Sequence, residues 1–231
     1  LVGLMKSMGI MHHWEHGPSR HALQYARSLI ALSEERIESV LDVGAADGIV
    51  SQVFSGPNQA AYQGIDVGAP IYERSSVVRY LDDPVLLMGA LRKESAEAVL
   101  AYDILEHVDK FESFARLIFA SSRRLVMISL PNEMSIHVRL SFVRGKCVPC
   151  HGLSMLRSAE GHRHRWLINY SDARSALCEI ARDNGFEMLG QVFLTTLPKT
   201  CWKRWLLKPA LSVLPLSLRS HGFAFVFEKR S

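Results

Sequence analysis

Residues 41 to 48, Leu-Asp-Val-Gly-Ala-Ala-Asp-Gly, set two glycines and two carboxylates where an apolar run closes and a helical pattern opens. Backbone N–H groups gathered at such a start attract an anionic ligand group, and Gly44 and Gly48 let the chain come close to it. Asp66 ends the next apolar run, 22 residues after Gly44. That is near the offset at which an acidic side chain accepts both hydroxyls of a ribose. A nucleoside-containing cofactor is implied. The turn has no phosphate-binding Lys, Arg or Ser/Thr cluster, and Gly44, Ala46 and Ile49 do not make the Gly-x-Gly-x-x-Gly of a dinucleotide site, so NAD fits less well.

Three further groups could carry chemistry. Glu106 and His107 follow the apolar run ending at Tyr102; imidazole titrates near neutrality and suits a general base. Cys147-Val148-Pro149-Cys150-His151, with His162 or His164 downstream, could close a tetrahedral zinc site, the alternative being free thiols in a loop. The same string matches covalent haem attachment, which requires export, and no leader pattern is present. Lys203-Arg204-Trp205-Leu206-Leu207-Lys208 interleaves basic and aromatic residues, as a membrane-surface or nucleic-acid segment would, or as a cap helix with a solvated side.

These residues need elements to hold them. Apolar spacing predicts a helix over residues 19–32, a strand over 39–43, a helix from Asp47 to about Phe54, and a strand over 61–66. A weak helix or turn follows near Ile71, then strand 77–80, helix 83–91, strand 98–102, helix 111–120 and strand 124–130. Periodicity lapses over 132–167. It resumes with Ser171 as N-cap of a helix over 172–184, Gly185 at its C-terminal end, and strands near 187–195 and 221–227. Alternating strand and helix means an α/β fold with a mostly parallel sheet and helices on both faces.

Of 231 residues, 48% are hydrophobic and 22% charged, with a formal net charge of +4. Such a chain buries a full core, which excludes disordered, collagenous and disulfide-scaffold classes. The basicity is too small to demand a polyanion partner. Four cysteines and no leader or bilayer-spanning run make a cytoplasmic protein the expectation, with at most peripheral membrane contact.

In order and spacing the motifs resemble class I S-adenosylmethionine-dependent methyltransferases, over about residues 37 to 195. Asp42-Val43-Gly44-Ala45-Ala46-Asp47-Gly48 is similar to the family's first motif, with Ala46 in place of its central glycine. Gly64-Ile65-Asp66-Val67 resembles the second, Tyr80-Leu81-Asp82-Asp83 the third, beside the adenine. Ala101-Tyr102-Asp103-Ile104-Leu105-Glu106-His107-Val108 resembles the Leu-Glu-His-Val signature of small-molecule methyltransferases, and Ser129-Leu130-Pro131-Asn132-Glu133 fits the end of the fifth strand.

The resemblance implies a Rossmann-like, seven-stranded sheet whose last strand is antiparallel. It also implies S-adenosyl-L-methionine held by Asp42, Gly44, Ala45, Ala46, Asp47, Gly48, Asp66, Val67, Asp82, Tyr102, Asp103 and Ile104. His107 is the candidate base; Glu106 would orient an acceptor or, as in some relatives, help hold a divalent cation. His162, His164 and Trp166 would border the acceptor pocket. The expected architecture is a single domain: a helical N-terminal cap (1–36), a cofactor core (37–131), an acceptor lid (132–167) and a closing helix and strands (168–231). The expected reaction is O-methylation of a small molecule or of a sugar in a glycan or lipid precursor. A nucleic-acid methyltransferase is the rival, though the chain lacks an Asn/Asp-Pro-Pro-Tyr motif. A scaffold that kept the fold and lost catalysis is the other alternative, supported by Ala46.

Overall fold

The computed structural model describes residues 10–15, 21–55, 59–67, 75–151, 163–196, 208–209 and 211–230. Strands β2 (Ser39–Val43), β5 (Ala96–Tyr102) and β6 (Ser122–Pro131) are nearly continuous apolar runs, buried on both faces as central parallel strands require. Around them lie β1 (Ile10–Glu15), β3 (Ala61–Val67), β4 (Val78–Leu81), β7 (Phe186–Thr196) and β8 (Gly222–Lys229). The order is β1-β7-β8-β6-β5-β2-β3-β4. All pairings are parallel except those of β8, which runs antiparallel to both β6 and β7.

Helices cover both faces. α3 (Pro84–Leu91), α4 (Phe111–Ala120) and α6 (Tyr170–Asp183) lie over one, where Phe223, Phe225 and Phe227 of β8 meet Val99, Val126 and Ile128. α1 (His21–Leu32) and the short α2 (Ser51–Phe54) lie over the other, against Leu100, Met127, Ala224 and Val226. The alternation along β8 is the period of two of a pleated strand. α4 forms because Phe114, Ala115, Ile118 and Phe119 recur on one face. α3 starts where Asp83 accepts from the N–H groups of Val85 (2.7 Å) and Leu86 (2.9 Å), with Pro84 in the first turn.

The structure corrects the sequence reading in several places. Among the described residues the sheet has eight strands, not seven: Ile10–Glu15 joins β7 in parallel at the edge, within a segment expected to be only a helical cap. Its sequence, Ile-Met-His-His-Trp-Glu, lacks clean alternation, and the edge position is defined by backbone pairing to a distant strand. Residues 132–167 are not all irregular, since Ile136–Val143 forms α5. The helix expected from Asp47 is confined to Ser51–Phe54, the preceding residues forming a turn. α6 is capped by Asn169, which accepts from Asp172 N–H (3.0 Å), rather than by Ser171. Gly185 does take the left-handed conformation after α6, at φ +78°. The turn or helix near Ile71 lies outside the described residues. A final helix, α7 (Leu216–Arg219), leads into β8.

Candidate active site

Strand order reverses between β2 and β5, and the carboxyl ends of β2, β3, β5 and β6 share one edge, where open α/β sheets bind ligands. Beyond β2 the chain turns back through three left-handed residues, Gly44 (φ +78°), Ala46 (φ +47°) and Gly48 (φ +69°). Glycine meets two of these needs without strain. Space also demands it, because a Cβ on Gly48 would lie 2.8 Å from Val78 Cγ2, and one on Gly44 2.8 Å from Ile104 Cδ1. The turn is sewn to β3 by Gly44 and Ala45 N–H donating to the Ile65 carbonyl (2.8 and 3.2 Å). Ala46 N–H donates to Asp66 Oδ2 (2.5 Å), Val67 N–H to Asp66 Oδ1 (2.6 Å), and Tyr80 O–H to the Ala46 carbonyl (2.9 Å). Asp66 thus holds the turn, and each of its oxygens keeps a second lone pair for a ligand hydroxyl. Asp47 accepts from Ile49 N–H (3.1 Å), and Asp82 is exposed just past β4.

Asp42 lies elsewhere. On the α1 side of β2 and 1% exposed, it accepts from Tyr62 O–H (2.5 Å) beneath the turn. Burial, opposed by that hydrogen bond and helped by the Asp66 charge, pushes its carboxyl up to about 7. Tyr102, its ring tilted against Tyr25 with centroids 5.7 Å apart, is buried beside it.

Asp103 follows β5 in a left-handed conformation (φ +49°), its rim open to solvent. Its carboxyl accepts from Ser129 O–H (2.8 Å). Crowding by protein raises its pKa against the pull of Ser129 and of His21, His107 and His164. The next residues form a tight turn, Leu105–His107, that buries Glu106. Burial first, then the Asp103 charge, pushes the Glu106 carboxyl well up, and among the described residues its Oε2 has no hydrogen-bond partner. A buried carboxylate in that condition is costly unless a proton or a cation neutralises it.

Glu133, just past β6, gathers what the chain keeps apart. Its Oε1 lies 2.7 Å from His164 Nδ1 and 2.9 Å from His151 Nε2, and its Oε2 accepts from Ile168 N–H (2.8 Å). Burial works against its charge, but the His164 and Ile168 hydrogen bonds and both imidazoles hold it below the usual carboxylate range. His164 packs edge-on against His107 with centroids 4.8 Å apart, and His107 Nδ1 lies 3.4 Å from the Arg163 carbonyl. In the neutral form of His107 and His164, an Nδ1–H donated to these acceptors would leave the Nε2 lone pair for a ligand. Glu106, His107 and His164 can each offer a ligand atom, all within 4.8 Å of one another; Glu133, His151 and His164 form a second such set.

Of the sequence candidates, the structure therefore brings together Gly44, Ala45, Ala46, Asp47, Gly48, Asp66 and Val67, and separately Asp103, Glu106, His107 and His164. Trp166 stands at the rim, donating to the Val108 carbonyl (2.7 Å) against Phe111. His162 lies outside the described residues. His151 turns to Glu133 rather than joining Cys147, which is exposed; burial and the Glu133 and Glu106 charges push the Cys150 thiol up. Sequence reasoning gave Glu133 no role, although its place at the end of β6 was the available signal. It also missed His21 and His221, whose Nε2 atoms lie 3.3 Å apart, His221 being pushed down to about 4 by burial and by His21 and His137.

A family model described as a methyltransferase domain matches residues 13–191. Among solved structures, the chain is similar to a SAM-dependent methyltransferase from Archaeoglobus fulgidus (14% identity, 92% of this chain and 95% of that one, TM-score 0.60). It is also similar to magnesium protoporphyrin IX methyltransferase from Synechocystis PCC 6803 with bound SAH (11% identity, 91% and 83%, TM-score 0.53). A third is the methyltransferase domain of a bacterial Hen1 (14% identity, 91% and 100%, TM-score 0.53). At these identities the likeness is one of fold. No curated protein matches in sequence.

Proposed function

The chain belongs to the methyltransferase domain family, and from that premise we propose that it transfers a methyl group from S-adenosyl-L-methionine to a hydroxyl of a small molecule or of a sugar in a glycan or lipid precursor. One observation carries this reading. The Asp66-held glycine turn, Asp103 and the Glu106–His107–His164 cluster all stand on one edge of the sheet. The cradle suits that cofactor. Close-packed glycines leave backbone for the amino-acid part, the spare lone pairs of Asp66 suit a ribose, and nothing in the turn is built for phosphate. Asp82 and Ile104 complete its lining, and Asp42, with Tyr102 buried beside it, supports the turn from below.

When bound, S-adenosyl-L-methionine supplies a methyl group already activated by a sulfonium. The protein's own share is then to position the acceptor and to manage its proton. His107 Nε2 lies 3.9 Å from Glu106 Oε1, a ligand atom of His164 is in the same cluster, and Glu106 Oε2 is the buried oxygen that a cation would satisfy. We therefore assign Glu106, His107 and His164 as ligands of a divalent cation, which would lower the pKa of a coordinated hydroxyl. Glu133 holds His164, and Trp166 walls the acceptor entrance.

Calorimetric titration with S-adenosylhomocysteine tests the cofactor half. Micromolar binding, worth about −8 kcal/mol, should collapse in Asp66→Ala. Absence of binding to folded wild type would put the scaffold reading in front. Titration with Mn2+ of wild type and Glu106→Gln tests the cation half. RNA retained on filters with a steep salt dependence would favour a nucleic-acid acceptor instead.

A further inference from the structure

α5 is not explained by the core. None of its side chains is buried, and Leu140, Phe142 and Val143 are 45, 64 and 83% exposed. Water alone does not select an apolar cluster of this kind. The same short stretch exposes Arg139, Arg144 and Lys146. No Asp or Glu occurs between Glu133 and Glu160, nor between Glu187 and Glu228. The fold brings these two acid-free stretches together: α5 packs beside α7, and just ahead of the first stretch the Asn132 amide donates to the carbonyls of Ser217 (2.7 Å) and Ser220 (2.8 Å). Ahead of α7 on that second stretch, Val213 is 83% exposed and Lys208 is exposed.

We propose that α5, together with the exposed residues ahead of α7, is a docking surface for an anionic lipid bilayer. Leu140, Phe142 and Val143 enter the acyl boundary while Arg139, Arg144 and Lys146 meet acidic headgroups. Apolar side chains flanked by cations are the composition of an interfacial helix. The charge balance selects the partner, since these two stretches carry cations and no carboxylate of their own to repel an anionic leaflet. The position matters for function as well. α5 begins three residues after Glu133, so docking brings the histidine cluster close to the bilayer, where an acceptor carried on a lipid would be presented. The surface itself does not depend on methyl transfer, and its test reads no turnover.

The experiment is co-sedimentation of the full chain with vesicles of phosphatidylcholine alone or mixed with phosphatidylglycerol. Wild type should pellet with the mixed vesicles, stay in solution with the neutral ones, and be released by salt. Arg144→Glu with Lys146→Glu should weaken partitioning by about 30-fold or more, and Phe142→Ser with Val143→Ser by at least about tenfold. All four positions are exposed, and unchanged circular dichroism would verify folding. No pelleting, equal pelleting with neutral vesicles, or substituted chains that bind like wild type would each overturn the proposal. So would a concentration-dependent dimer abolished by Phe142→Ser, which would make a second copy the occupant.

Discussion

Asp42→Asn isolates the electrostatic cost of the acid beneath the cofactor turn. Asp42 is 1% exposed, and burial raises its carboxyl from 3.8 to about 7. Between those values the folded state binds a proton that the unfolded chain has released, so stability falls as pH rises. The contribution is fully present below the unfolded pKa and is lost by the folded one. A shift of roughly 3 units corresponds to about 4 kcal/mol over the whole window, of which about 2.5 kcal/mol falls between pH 5 and pH 8. Asparagine keeps an oxygen for the Tyr62 hydroxyl and cannot ionise, so packing is nearly unchanged. Urea denaturation of both proteins at pH 5 and pH 8 measures the effect. Other groups titrate equally in the two chains, so the quantity read is the difference between their pH dependences. Wild type should lose about 2.5 kcal/mol more than Asp42→Asn on going to pH 8, a large part of a stability on the order of 10 kcal/mol. Parallel pH dependences would refute the reasoning and mean that Asp42 is solvated or paired as an anion.

Ala46→Gly should raise stability by up to about 1 kcal/mol, because a left-handed alanine at φ +47° costs more than the added freedom of glycine; a loss in urea midpoint would contradict the turn geometry. Gly48→Ala should cost roughly 1–3 kcal/mol and weaken S-adenosylhomocysteine binding, since its Cβ meets Val78 and Val77 in a conformation alanine resists. Wild-type stability and affinity in that variant would show that the turn can shift. Glu133→Gln should lower Mn2+ affinity by about 10–100-fold through loss of the anion that orients His164, and an unchanged titration would remove Glu133 from the site.

Local pattern carried most of the fold. α4 was delimited to its terminal residues, and the central strands and α3 to within a few, because two-sided burial, helical spacing and the Asp83-Pro84 start are written in neighbouring residues. The glycine turn and the acid at position 66 were legible for the same reason: each is a short-range requirement on backbone conformation, space or charge. What depends on contacts between distant residues was not legible. The pairing of Ile10–Glu15 with β7, and the helix at Ile136–Val143 with no fully buried side chain, leave no clear periodicity.

The site divides along the same line. Residue types and spacing were enough to indicate a nucleoside-binding turn and to single out Asp66, Glu106 and His107 as candidates, and the family resemblance added Asp103 and His164. Only the tertiary structure separated Asp42 from them, since the strand's alternation turns it to the buried face where Tyr62 claims it. Only the folding of residues 163–168 across the end of β6 set His164 against His107, and only the approach of His151 from a separate segment gave Glu133 a second imidazole. A carboxylate's role is determined by its neighbours and its access to water. In a parallel sheet those neighbours arrive from loops that are remote in sequence.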